Sequence, residues 1–131
     1  MLDTDTCVAL IKGEPVIVQK KIRGKSIGQV GISSIVLSEL MFGAAFSSKP
    51  DQNYAALNEF LLALEVASYD SAAAFEYGKI RSALQRAGRP IGSHDLFIAA
   101  HAVSLDIVLV THNRREFKRV PDLRCEDWLT A

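Results

Sequence analysis

Long uncharged apolar runs are missing from this chain: no stretch approaches the roughly 18 residues that a helical bilayer span requires. The opening residues also lack the basic-then-apolar layout of a secretory signal. Cysteine is scarce. Cys7 and Cys125 stand at opposite ends of the sequence in apolar or strand-like settings, too few and too scattered for a disulfide framework or a metal-type repeat. A soluble protein of the reducing cytoplasm is therefore expected, with no membrane partner. An excess of charge of one sign is absent as well, because 15 Lys and Arg balance 15 Asp and Glu. That balance argues against coating nucleic acid through bulk electrostatics, so any contact with RNA or DNA must be local. Repeats and low-complexity segments are lacking too.

What is present is a 131-residue chain with 49% hydrophobic residues, enough to bury a core and fitting one domain over residues 1–131. Apolar runs suited to strands alternate with segments of helical periodicity. A minimal opening strand, Met1-Leu2-Asp3, leads to a helix over residues 6–12, and a second short helix is expected at about 16–23. A buried strand at 28–33 precedes a helix capped by Ser33 or Ser34 that carries Glu39 and runs to Phe46, where Ser47 to Pro50 stop it. Further helices are read at 53–64, 71–87 and from Ser93 to Leu105, and further strands at 65–69, 107–110 and 123–126. Strands separated by helices favour a mainly parallel sheet. The expected fold is a three-layer α/β sandwich with a central sheet of four or five strands flanked by helices.

Three acids carry the functional signal. Asp3 ends the opening strand, Glu39 shares a helical face with Ile35, Val36, Phe42 and Phe46, and Asp95 shares one with Ile98, Ala99 and Ala102. Carboxylates on apolar stripes need partners, so three without neighbouring bases imply a shared cation or forced protonation. Ligand sites in parallel sheets lie beyond the carboxyl ends of the strands, where Asp3 and the turn Thr111-His112-Asn113 fall. Oxygen-only ligands select Mg²⁺ or Mn²⁺, because a zinc site would call for histidine or cysteine. Arg114, Arg115, Lys118 and Arg119 follow the last strong strand and would line the same rim, while Lys20, Lys21, Arg23 and Lys25 form a second basic group.

Four ordered segments resemble motifs of the PIN-domain ribonucleases, the VapC toxin branch of type II toxin–antitoxin pairs in particular. They are Leu2-Asp3-Thr4-Asp5-Thr6, the helix from Ser34 to Leu40, Gly92-Ser93-His94-Asp95, and Val110 to Phe117. The resemblance implies a PIN-like fold and an endoribonuclease acting on cellular RNA such as transfer RNA. It places Asp3, Glu39 and Asp95 at the family's acidic positions, with Asp3 and Asp95 as magnesium ligands. Glu39 would bind metal or orient the attacking water, and Thr111 and Asn113 would position water or phosphate. Many family members have asparagine where Asp5 stands, and the fourth acidic position falls on Asn113 or Glu116. Arg114 and Arg115 are the expected RNA contacts. The implied partners are a VapB-type antitoxin, whose arginine would neutralise the acids, and a second copy of the chain. Apolar surface for both is expected from the helices at 16–23 and 45–64.

Other readings compete. Asp3-Thr4-Asp5 is similar to the paired aspartates of haloacid-dehalogenase-type phosphatases, but Cys7 stands where that pattern wants threonine or valine. A binding module with a degenerate acidic site is the second alternative. His94 and His101 read as packing or surface residues, Cys7 as a small core residue, and Phe42, Phe46, Phe60, Phe75 and Tyr77 as core or interface anchors.

Overall fold

In the computed structural model, which describes residues 1–13, 22 and 29–129, strands and helices alternate as the sequence pattern predicts. The elements are α1 (Thr4–Lys12), β1 (Gly31–Ser33), α2 (Ser34–Phe46), α3 (Pro50–Leu61), β2 (Glu65–Ala67), α4 (Ser71–Arg86), α5 (Ser93–Leu105), β3 (Leu109–Val110), α6 (Arg114–Phe117) and β4 (Cys125–Glu126). The helix expected at 16–23 and the basic group at 20–25 lie outside the described residues, apart from Ile22, which packs against the core.

Among the described residues all strand pairings are parallel. β1 pairs with β2 and β3 with β4, and Leu2 forms single bridges to Ile32 on one side and Val110 on the other. The backbone around Leu2 is held from both directions: its amide donates to Gly31 O at 2.9 Å, and the amide of Val110 donates to Met1 O at 2.7 Å. Leu2, Ile32 and Leu109 are fully buried, so the opening residues run through the centre of the core. Gly31 lies at a close approach, since a β-carbon there would stand 2.8 Å from the carbonyl oxygen of Glu65.

Helix boundaries follow local chemistry. Asp3 caps α1 by accepting from the amide of Thr6, which starts the helix at Thr4, two residues before the apolar pattern suggests. Ser33 caps α2 through Ile35 in the same way. α2 ends at Phe46 as expected, and Pro50 also opens α3 at its first position, where a missing amide hydrogen costs nothing, so that helix spans 50–61 where 53–64 was expected. The strands are shorter than the apolar runs that announce them: 107–110 narrows to Leu109–Val110, 65–69 to Glu65–Ala67, and 123–126 to Cys125–Glu126.

The largest correction concerns aromatic residues. Phe42, Phe46 and Phe75 are 67%, 80% and 67% exposed, so they are not core residues, whereas Phe60 and Tyr77 pack against the core. The inward stripe of α2 is Val36, Leu40 and Ala44, which leaves Glu39 on the shoulder of the helix. On α5 the stripe is broader and matches expectation, with Leu96, Ile98, Ala99, Ala100, His101 and Ala102 all buried. His101 accordingly has a packing role: its Nδ1 lies 2.8 Å from the hydroxyl of Ser33, tying α5 to the end of β1. No helix among the described residues is long and apolar enough to cross a membrane.

Candidate active site

Asp3 and Asp95 stand at the starts of α1 and α5, while Glu39 lies in the middle of α2. Asp3 directly follows the Leu2 bridge, is 6% exposed, and is held by two backbone contacts: its amide donates to Val110 O at 3.0 Å, and its Oδ1 accepts from Thr6 at 2.9 Å. One short segment thus links the centre of the core to the first acid.

Asp95 lies in the first turn of α5, half-buried, facing the turn that leaves β3. That turn is shaped by Thr111, fully buried, whose hydroxyl accepts from the amide of Asn113 at 3.0 Å. The bond aims the Asn113 side chain, which donates to Asp95 Oδ2 at 3.2 Å and to Glu116 Oε2 at 3.1 Å. Glu116 sits on α6, one turn further along. Asn113 and Glu116 both stand at Asp95, the Asn113 amide bridging the two acidic side chains.

Electrostatics follow from that crowding. Burial raises the pKa of Asp95 most, a hydrogen bond with Glu116 and its negative charge add to this, and Asp3 adds more, while the Asn113 amide pulls the other way; the carboxyl is pushed up to about 7. Glu116 moves downward, chiefly because Asp95 donates to it, helped by Asn113, by Arg119 and by the backbone at Gly92, against its own partial burial. Asp95 and Glu116 thus behave as a carboxyl–carboxylate pair holding one proton between them.

Glu39 joins through a neighbour. Thr4, the residue after Asp3, donates from Oγ1 to Glu39 Oε2 at 2.8 Å, while Glu39 Oε1 is buried and has no hydrogen-bond partner among the described residues. The acidic pattern in the sequence gives no sign of Thr4; its position beside Asp3 is the only cue. Among the described residues no three His, Cys, Asp or Glu side chains are drawn tightly enough to enclose one ion. The donor chemistry nonetheless suits a hard cation: all the donors are oxygens, one of them is an orphaned carboxylate oxygen, and one carboxyl is pushed toward neutrality by burial first and by its acidic neighbours second.

The remaining expected residues fall as follows. Asp5 is exposed on α1, and no described hydrogen bond joins it to Asp3. Arg114 and Arg115 are exposed on α6, while the charge of Arg119 acts on Glu116 and its Nη1 donates to Pro90 O at 2.9 Å. Cys7 is buried, and burial pushes its thiol well above the ordinary range, so it is no nucleophile. His94 is exposed beside Asp95.

A family model for the PIN domain matches residues 1–123. The chain is 44% identical to a tRNA(fMet)-specific endonuclease VapC of Salmonella typhimurium over 128 residues, covering 98% of this chain and 96% of that protein. It is 40% identical to a ribonuclease VapC2 of Rickettsia felis, covering 98% of this chain and 96% of that one. Its fold superposes on the crystal structure of DNA-bound VapBC from Salmonella typhimurium with a TM-score of 0.93 and 44% identity, covering 98% of this chain and 96% of the other. With its acids at the starts of α1 and α5 and its match along nearly the whole length, the chain belongs to the PIN-domain family, in the VapC branch.

Proposed function

We propose that this chain is a metal-dependent endoribonuclease toxin of the cytoplasm, hydrolysing a phosphodiester in cellular RNA and held inactive by a VapB-type antitoxin. The observation that carries the reading is the junction at Asn113, where Asp95 and Glu116 are bridged by one amide beside the buried Asp3. Relatives named as VapC ribonucleases support nuclease activity, and one named for tRNA(fMet) supports a structured transfer RNA as target. Solved VapBC complexes of similar chains support an antitoxin partner. The reading takes the chain as one PIN-like domain over residues 1–131, with Leu2 as the middle of a five-stranded parallel layer. It further includes association into a homodimer.

Asp3 and Asp95 would hold Mg²⁺ or Mn²⁺, with Glu39 binding the same ion or orienting water. Such an ion supplies Lewis acidity, polarising the phosphoryl oxygen and making bound water more acidic. The protein's own residues set the stage. Asn113 and Thr111 fix the angle of Asp95, Glu116 accepts its proton, and Arg119 with Arg114 and Arg115 offers positive charge to the RNA backbone next to an acidic rim that would otherwise repel it. Asp5 is left as a solvent-side charge on α1. A phosphatase of the haloacid-dehalogenase type is disfavoured by the PIN-domain match and by that exposure of Asp5.

The test is cleavage of transfer RNA by the purified chain with Mg²⁺ or Mn²⁺, with EDTA, and with Asp95→Asn. Cutting that needs the metal and is lost in the variant supports the reading. Metal-independent turnover, or full activity of Asp95→Asn, overturns it. A protein that neither cuts nor binds metal would be the binding module instead.

A further inference from the structure

Thr4 is not an acid, and it lies outside the face of α1 that buries Thr6, Cys7 and Leu10. Its hydroxyl is nevertheless committed. Oγ1 donates to Glu39 Oε2 at 2.8 Å, a bond that spans 35 positions of sequence and joins the first residue of α1 to the middle of α2. The two oxygens of Glu39 are thereby made unequal. Oε2 has its donor, whereas Oε1 is shut from water and has no partner among the described residues. A buried carboxylate oxygen in that state is costly until a cation or an ordered water reaches it.

The setting shows why a positioning bond is needed. Thr4 and Glu39 line two clefts at once, one of about 390 Å³ between α1, α2 and α3, and one of about 600 Å³ running past Phe42 toward His94 and Phe97. A glutamate on the shoulder of α2 with open space on both sides has several rotamers available. A hydroxyl fixed at a helix start removes that choice.

We propose that Thr4 is a positioning residue of the nuclease: its hydroxyl holds Oε2 of Glu39 and so leaves Oε1 as the unshared acceptor for the site's cation or for the water beside it. Asp3 and Thr4 then act as a unit, one residue supplying an acid and the next orienting the acid that arrives from α2. The inference rests on the nuclease reading and deepens it.

Thr4→Val removes the hydroxyl while keeping the shape, and Thr4→Ser restores it. For Thr4→Val we expect an unchanged fold, a loss of about 10- to 100-fold in kcat with the KM for RNA little altered, and Mn²⁺ binding by calorimetry weakened by a similar factor. Thr4→Ser should recover most of both quantities. Should Thr4→Val melt early, Thr4→Ala takes its place in the same comparison with Thr4→Ser. Wild-type binding and turnover in the hydroxyl-free variant would overturn the role of Thr4, as would a serine variant that fails equally. A wild-type protein that cuts no RNA refutes the nuclease reading itself, whereas a cutting wild type matched by Thr4→Val refutes only the positioning role.

Discussion

Oδ2 of Asp95 accepts from the side-chain amide of Asn113 at 3.2 Å, and that bond draws the Asp95 pKa down while burial, Glu116 and Asp3 raise it. Asn113 therefore relieves a repulsion that the fold itself creates. Asn113→Asp would replace the bridging donor with another negative charge. The metal-free variant should lose about 1–2 kcal/mol at pH 8 and clearly less at pH 5, where Asp95 carries a proton. Urea unfolding at the two pH values measures this, and an equal loss at both would rule out repulsion as the cause.

Asp95 also predicts how the metal-free protein responds to pH. Its folded pKa, about 7, lies above the ordinary value of 3.8, so its contribution is fully present below about pH 4 and is lost as pH rises through 7. Glu116 is shifted downward, so its own contribution is already present above about pH 4.5 and leaves the fall through 7 to Asp95. In EDTA, stability attributable to the pair should fall between pH 5 and pH 8 by about 1–2 kcal/mol once solvent screening is allowed for. Asp95→Asn should flatten the profile. A wild type and variant with parallel profiles would contradict the raised carboxyl.

His101 works in the opposite direction. Burial lowers its pKa from the ordinary value of 6.5, against the charge of Asp70 and the backbone at Ser68, so the ring is favoured in its neutral form. Its contribution is present above about pH 6.5 and is lost as pH falls below that value. His101→Ala empties a buried site and strips Ser33 of a hydrogen bond, which should cost about 2–4 kcal/mol at pH 7.5. Denaturant melts of variant and wild type should converge as pH drops toward 5. A gap that stays constant would show that the ring's protonation state is irrelevant.

Gly31 tests the pairing of β1 with β2. The missing β-carbon would sit 2.8 Å from a backbone oxygen of Glu65, which cannot swing aside as a flexible side chain would. Gly31→Ala should lower stability by about 1–3 kcal/mol, read as a fall in melting temperature. An unchanged melting temperature would mean that the two strands separate freely.

Helix α5 was legible in the sequence from end to end. Its apolar residues recur at helical spacing from Leu96, and the pattern stops at Leu105, before Asp106 turns into the left-handed region at φ 53°. The acids Asp3 and Asp95 were legible as well, because a carboxylate among buried neighbours stands out in any local window. For Phe42 and Phe46, read as core or interface anchors, the core half fails: helical spacing assigns a face to a residue but does not say whether another element of the chain covers it, and here the two rings stack on each other in the open, 5.5 Å apart.

The sequence by itself determined the order of strands and helices, the PIN-type motifs and which carboxylates stand among apolar residues, since each depends on residues within a turn or two of one another. The tertiary structure alone decided that Glu116 meets Asp95 across Asn113, that Thr4 holds Glu39, and that Leu2 is bonded on both sides. These contacts join residues far apart along the chain or set the angle at which separate helix starts face one another. Such geometry is fixed by packing of the whole core and leaves no periodic trace in the sequence.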